Sequence, residues 1–400
     1  MDLPLRHNPD DCTACAICTV HCPVAGATLK FRGPRLTGPA YERFRLLGFG
    51  DDAALEYCSN CKNCDIACPS GVPVAAFTML ARAARSGKRK PPLGEYLTGY
   101  SGTLGELARF FPAFFLNFVL KNPLSRAVLD SMGLDRRAPL PSFAPLAQRR
   151  RLTKKRPGRH ARQAVLFPGC FVRFYEPRVG LDLVRLLEKA RYDVLVPKEF
   201  VCCGLPLVTA GLYGAALARA RVNGRELARW ADRGLPVITP CPSCALTLQQ
   251  EYRDLFPEEE DLSRHGPVVS EACAFIRALI DDGELSLAGG RPPRELLAYH
   301  APCHLRAMGG GRLAPDILSA VPGLRLKDTD AGCCGIAGSY GLKKGKYEIG
   351  MTIGADLFSA LKGSGAGLAL SECGTCRVQM THGSGLPAAH PLSVLSACLP

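Results

Sequence analysis

The chain has 400 residues, ordinary apolar content for a globular protein and a formal charge of +14. Twenty cysteines are too many to ignore, yet a disulfide framework belongs to short secreted chains, and "MDLPLRHNPDDC" has no apolar core of a secretory signal. A reducing compartment and thiols used as metal ligands are expected, and no run of about 18 apolar residues offers a membrane-spanning helix.

The first element is a cysteine run, Cys12-x2-Cys15-x2-Cys18-x3-Cys22-Pro23, and it returns as Cys58-x2-Cys61-x2-Cys64-x3-Cys68-Pro69. Both match the bacterial ferredoxin spacing for a [4Fe–4S] cubane, in which the fourth cysteine serves the other cluster. On that pattern Cys12, Cys15, Cys18 and Cys68 hold one cubane, and Cys58, Cys61, Cys64 and Cys22 hold the other. Each proline is expected to end the local helix. A pair of zinc knots is the alternative, and two complete copies with proline argue against it. The insert 24–57 reads as helical on both sides of Gly48–Gly50. It resembles the α-helical ferredoxin module of respiratory iron–sulfur subunits.

From Arg85 to about Arg162 proline and basic residues are frequent and cysteine is absent. Phe110–Leu120 is apolar except for Asn117 and is flanked by Arg109 and Lys121. Eleven residues suit a buried helix or an interfacial one. Burial against the body of the protein is the first expectation, and contact with a membrane or partner the second. The run "RRRLTKKRPGRHAR", Arg149–Arg162, reads as a solvated linker or as a contact with anionic lipid. No recognition motif accompanies the charge, so no nucleic-acid partner is expected.

From Gln163 the sequence repeats: Cys170 answers Cys303, Cys203 answers Cys334 and Cys241 answers Cys373, at offsets of 133, 131 and 132 residues. Two domains of one plan follow. In the first copy strands are expected at 164–167, 194–196 and 237–239, and helices at 178–190 and 212–231. That alternation implies a parallel α/β sheet. The cysteines follow the expected strands, where open α/β sheets bind ligands. One crevice could therefore gather Cys170, Cys202, Cys203, Cys241 and Cys244, and another Cys303, Cys333, Cys334, Cys373 and Cys376. Redox-active dithiols are the alternative. Gly363–Leu370, "GSGAGLAL", precedes a strand and is no dinucleotide fingerprint. His300 and His304 could bond a cluster sulfur, although an ordinary structural histidine is the simpler expectation for each. Lys343, Lys344 and Lys346 read as a solvated face, and Cys273 and Cys398 as small buried hydrophobes.

The C…CCG…CxxC sets resemble the CCG domain of heterodisulfide reductase subunits and glycolate oxidase iron–sulfur subunits. The complete order of parts resembles the iron–sulfur subunits of anaerobic glycerol-3-phosphate dehydrogenases, through "YCSNCKNCDIACPS", "GCFVRFYEP", "YHAPCHLRAMG" and "GCCGIAGSYGLKKGKY". The resemblance implies a multidomain chain. Residues 1–85 would be an α-helical ferredoxin domain with two [4Fe–4S] cubanes, and 86–162 a basic, proline-rich linker. Residues 163–290 and 291–400 would be α/β CCG domains carrying one or two further, non-cubane [4Fe–4S] clusters. It also implies FAD-containing dehydrogenase subunits as electron donors, a quinone as acceptor, and a peripheral place on the inner face of the cell membrane. A thiol–disulfide enzyme of the heterodisulfide reductase type, or a glycolate or lactate oxidase subunit, is the alternative function.

Overall fold

The computed structural model describes residues 6–47, 52–259, 262 and 264–400. The Gly48–Gly50 turn of the insert lies outside them. On either side the chain is helical, at Tyr41–Leu46 and in a 3-10 turn at Ala53–Tyr57. Pro23 follows the short helix Ile17–Val20 and itself opens the next one, Pro23–Ala27. The missing N–H of proline costs nothing in the first turn of a helix.

The spine of the N-terminal domain is the helix Val74–Lys88. Its sequence, rich in alanine and free of interior proline, favours a helix. Every residue from Val74 to Ala84 is buried, which is the pattern of a helix covered on all sides. Val74, Ala75 and Phe77 pack under Cys18 and Cys64. Ala76, Met79 and Leu80 join the core of the first α/β domain.

The linker is mostly helix rather than open chain: Leu93–Gly99, Ser101–Leu107, Ala113–Lys121, Pro123–Ser131 and Leu146–Leu152. The expected burial of the apolar patch is overturned. No residue of Ala113–Lys121 is buried, and Phe110, Phe114 and Phe118 are 70%, 78% and 64% exposed. The reason is Asn117. Its amide donates to the Phe143 carbonyl at 3.0 Å and accepts from the Phe143 N–H at 2.7 Å. The one polar side chain of the patch faces the protein, and the phenylalanines face out. Arg149, grouped with the solvated basic run, is buried, whereas Arg150, Arg151, Lys154 and Lys155 are exposed.

Two four-stranded sheets follow. The first holds β1 (Arg162–Leu166), β2 (Tyr192–Leu195), β3 (Val237–Thr239) and β4 (Val269–Glu271) in the order β2-β1-β3-β4. The second holds β5 (Leu297–Tyr299), β6 (Leu326–Asp328), β7 (Leu368–Leu370) and β8 (Ala388–Ala389) in the order β6-β5-β7-β8. All pairings are parallel. β3 and β5 are buried along their whole length, and β1 and β7 are buried over their apolar C-terminal residues, as covered parallel sheets require. β4 and β8, not anticipated from the sequence, complete the matching order.

The two sheets share one core, which runs from Leu166 and Leu183 to Leu297 and Leu395. The pairing is reciprocal. The helix after β1, Pro177–Lys189, packs on the helix after β8, Pro391–Ala397. The helix after β4, Ala272–Asp281, packs on the helix after β5, Leu313–Ser319. Equivalent surfaces thus exchange places, as across a two-fold axis. Glu271 and His390 are equivalent N-caps in this core. Glu271 accepts from the Cys273 and Ala274 N–H groups, while His390 accepts from Leu392 and donates across to the Pro240 carbonyl.

Burial pushes the Glu271 carboxyl up to about 7. Its proton is held more tightly folded than unfolded, so this group's stabilising contribution is lost as pH rises through about 7. We expect melting temperature to fall from pH 5 to pH 7, and Glu271→Gln, which keeps the capping oxygen, to flatten that slope. Equal slopes in thermal melts of parent and variant would contradict the assignment.

Candidate metal centres

The two ferredoxin runs fold alike. Ala14 and Ala16 flank Cys15 with positive φ, and Asn60 and Lys62 flank Cys61 in the same way. Non-glycine residues seldom take this conformation. Used twice around one cysteine, it curls the chain into a concavity of the kind that suits an anionic group.

Cys22 enters one cavity with Cys58, Cys61 and Cys64. Cys68 stands instead with Cys12, Cys15 and Cys18: burial pushes the Cys18 thiol up, and the Cys12, Cys15 and Cys68 thiols push it further. The two groups differ in depth. Cys15 is exposed, while Cys22, Cys61 and Cys64 are buried. Burial raises Cys22 to about 11 and Cys61 to about 12. Without a cation such thiols hold their protons.

In each α/β domain five thiols converge where the strand order reverses, between β1 and β3 or between β5 and β7. Cys170 and Cys202 sulfurs lie 3.8 Å apart, Cys203 and Cys244 3.6 Å, and Cys334 and Cys376 3.1 Å. The adjacent pair must turn sharply to aim both sulfurs inward. Gly335 does this at φ +81°, and a Cβ there would lie 1.8 Å from the Gly350 carbonyl oxygen. Within each set the thiols differ in acidity, and in the second set hydrogen bonding from Cys376 also brings Cys373 down to about 5. Cys202 is held well below the ordinary thiol range because Cys170 and Cys203 donate to it; Cys303 and Cys334 do the same for Cys333. Their donors are pushed up. A buried nest of five sulfurs that can ionise only in part is a donor set that fits a soft, multiply charged iron–sulfur group.

His300, kept neutral by burial, has a ring nitrogen within 4.8 Å of the Cys334 and Cys376 sulfurs. His304 does not act on a sulfur. Its Nε2–H donates to the Asn60 carbonyl at 2.8 Å, which fixes the tautomer, and Nδ1 accepts from the Ser243 hydroxyl at 2.8 Å. Asn60 lies between Cys58 and Cys61, Ser243 lies between Cys241 and Cys244, and His304 itself follows Cys303. One imidazole therefore ties three cysteine loops together. The equivalent residue of the first domain, Phe171, packs against Gly374, inside the second domain's CxxC turn.

Buried cations surround these sulfurs. Lys62 pairs with Glu251 at 2.9 Å; burial alone would depress it, but Glu251 and Asp65 outweigh burial and hold it charged. Arg82 donates to the Leu55, Cys58 and Thr209 carbonyls. The expectation of a solvated face at Lys343 and Lys346 is corrected: both are buried on Glu95, and only Lys344 is exposed, on Asp130. The sequence gives no local sign of Arg82, Glu95 or Glu251, because their partners lie far along the chain. Cys273 and Cys398, 0% and 1% exposed, stand in the shared core away from the nests.

Comparison with known proteins agrees with this layout. Residues 9–72 match the 4Fe-4S dicluster domain, and residues 164–249 and 297–381 match the cysteine-rich CCG domain. The chain is similar to the glycolate oxidase iron-sulfur subunit of Escherichia coli (strain K12), with 26% identity over 83% of this chain and 80% of that one. It is similar to the B subunit of the fumarate reductase (CoM/CoB) of Methanothermobacter marburgensis, with 26% identity over 92% of this chain and 67% of that one. It is also 31% identical to the C subunit of the anaerobic glycerol-3-phosphate dehydrogenase of Escherichia coli (strain K12), over 98% of both chains. An iron–sulfur protein with a ferredoxin-type domain and two CCG domains, the chain belongs to the family of anaerobic glycerol-3-phosphate dehydrogenase C subunits.

Proposed function

We propose that this chain is the electron-transfer subunit of a membrane-associated glycerol-3-phosphate dehydrogenase, taking electrons from FAD-containing partner subunits and delivering them to a quinone. The observation that carries the reading is the junction at His304, which joins three cysteine loops through two hydrogen bonds. A thiol-rich protein with isolated redox sites has no need of it.

In this reading residues 1–85 are the ferredoxin domain, 86–162 a helical linker, and 163–290 and 291–400 the CCG domains. Cys12, Cys15, Cys18 and Cys68 hold one cubane. Cys58, Cys61, Cys64 and Cys22 hold the second. Cys170, Cys202, Cys203, Cys241 and Cys244, and likewise Cys303, Cys333, Cys334, Cys373 and Cys376, hold non-cubane clusters. When bound, these groups supply one-electron redox chemistry. The protein's part is to hold the four sulfur sets near one another and dry, with the exposed Cys15 offering the point nearest solvent. Lys62 and Arg82 offset part of the negative charge of the inner ferredoxin site.

The outward phenylalanines give the membrane contact. A short helix with aromatic residues outside and its amide held inside is suited to the lipid interface. Arg109 and Lys121 flank it, and exposed Arg150, Arg151, Lys154 and Lys155 add attraction to anionic lipid of about 1 kcal/mol each when near the surface. In this reading the protein sits on the inner face of the cell membrane, on the cytoplasmic side.

Three measurements test these points. Anaerobically purified, fully loaded chain is expected to carry about sixteen irons; iron and sulfide analysis giving about eight would leave the CCG nests empty. His304→Phe, which copies Phe171, is expected to slow electron passage between the ferredoxin and CCG sites by roughly tenfold at unchanged iron content, with partial recovery in His304→Gln. Rapid-mixing spectra in which all three proteins behave alike would remove the junction from the path. Replacing Phe114, Phe115 and Phe118 by Ser should release the protein from vesicles at every ionic strength without lowering its melting temperature, because none of the three is buried. Neutralising Arg150, Arg151 and Lys154 should weaken flotation only with anionic vesicles at low salt, since charge is screened within about 8 Å at physiological ionic strength. Two variants that float as well as the parent would assign the anchor to another subunit.

A further inference from the structure

A cavity of about 270 Å³ opens beside the first CCG nest. The Cys170 and Cys202 side chains form its inner end, and Phe167, Phe174 and Phe200 line its apolar wall. Two guanidiniums enter it. Arg173 pairs with Glu106 at 2.8 Å, and Arg219 donates to the Thr103 hydroxyl at 2.9 Å.

The roof is the linker helix Ser101–Leu107. It lies directly on the nest because Gly102 has no side chain: a Cβ there would stand 2.6 Å from the Cys202 Cβ. The same helix leads into the exposed aromatic patch. Glu106 faces Arg173 inside the cavity and Arg109 outside it, at 3.9 Å, and the Arg109 guanidinium lies 4.9 Å from the centre of the Phe110 ring. Cavity and patch are therefore joined through two residues.

We propose that this cavity receives the ring of a lipid-borne quinone. The inference rests on the membrane-linked electron-transfer role above and assigns that role a binding site. The volume suits a one- or two-ring headgroup but not a dinucleotide. Aromatic walls take the ring faces, and Arg173 and Arg219 can donate to the carbonyl oxygens. The apolar patch supplies the bilayer side from which a prenyl tail would extend. In the reduction the quinone gains two electrons originating from the dehydrogenase partner and two protons from water at the mouth, and its two carbonyls become hydroxyls.

The test uses the loaded full-length chain on anionic vesicles and a short-chain naphthoquinone carrying a photoreactive azide, with attachment sites mapped by peptide mass spectrometry. Labelling is expected within residues 101–107 and 167–174. Thr103→Phe, which fills the cavity, should cut labelling at least tenfold, and Arg219→Gln should weaken binding by roughly tenfold for a lost charged hydrogen bond. Iron content and cluster spectra of each variant are compared with the parent, and if Thr103→Phe loses iron, Arg219→Gln decides. Specific labelling elsewhere, or labelling unchanged in an iron-replete variant, overturns the cavity assignment and leaves the quinone-linked role standing. If the parent binds no quinone on vesicles, alone or with its dehydrogenase partners, both fall.

Discussion

Sulfurs held 3.1–3.8 Å apart in a dry interior cannot all be charged unless a cation sits among them. This constraint explains most of the surrounding construction. It requires loops that aim several thiols at one point, hence the paired left-handed residues beside Cys15 and Cys61 and the tight turn at Gly335. It also requires fixed positive charge nearby, hence the buried Lys62 and Arg82. Burying such cations costs several kcal/mol each unless they are paired. Glu251, together with backbone carbonyls, supplies the partners.

The reciprocal packing of the CCG domains turns two nests into one assembly. Each domain lays the helix that carries its first cysteine, Gly169–Phe174 or Cys303–Ala307, against the CxxC turn of the other. Symmetry of the fold then permits asymmetry of chemistry. At one contact Phe171 gives only van der Waals packing. At the other His304 reaches past the CxxC turn to the ferredoxin loop, so a single side chain of the second domain is bonded to both other sites. A duplicated domain can keep its core while one surface position changes from aromatic to imidazole.

The cysteine spacing and the period near 132 were legible because they are local or repetitive signals, and they led to the ferredoxin-type domain and the two parallel sheets. What escaped was decided at long range. β4 and β8 are short, and β8 is only Ala388–Ala389, which carries no strand signal by itself. Lys343 and Lys346 look like surface residues until Glu95, some 250 positions away, is placed beside them. The apolar run 110–120 has a composition that fits either a core or an interface. Only the two hydrogen bonds between Asn117 and Phe143 decide which way it faces.

The linker is built into the wall of the first nest for a physical reason. A segment that only connected domains could vary freely in sequence and stand off from the sites it joins. Here Arg219 holds Thr103, Arg173 holds Glu106, and Phe174 packs where Gly105 leaves room. On the other side, Lys343 and Lys344 of the second CCG domain bond to Glu95 and Asp130 of the linker. The linker is thus clamped to both domains while its aromatic helix is left bare. The same short segment roofs the first nest and ends in the exposed phenylalanines, with Glu106 facing Arg173 on one side and Arg109 on the other.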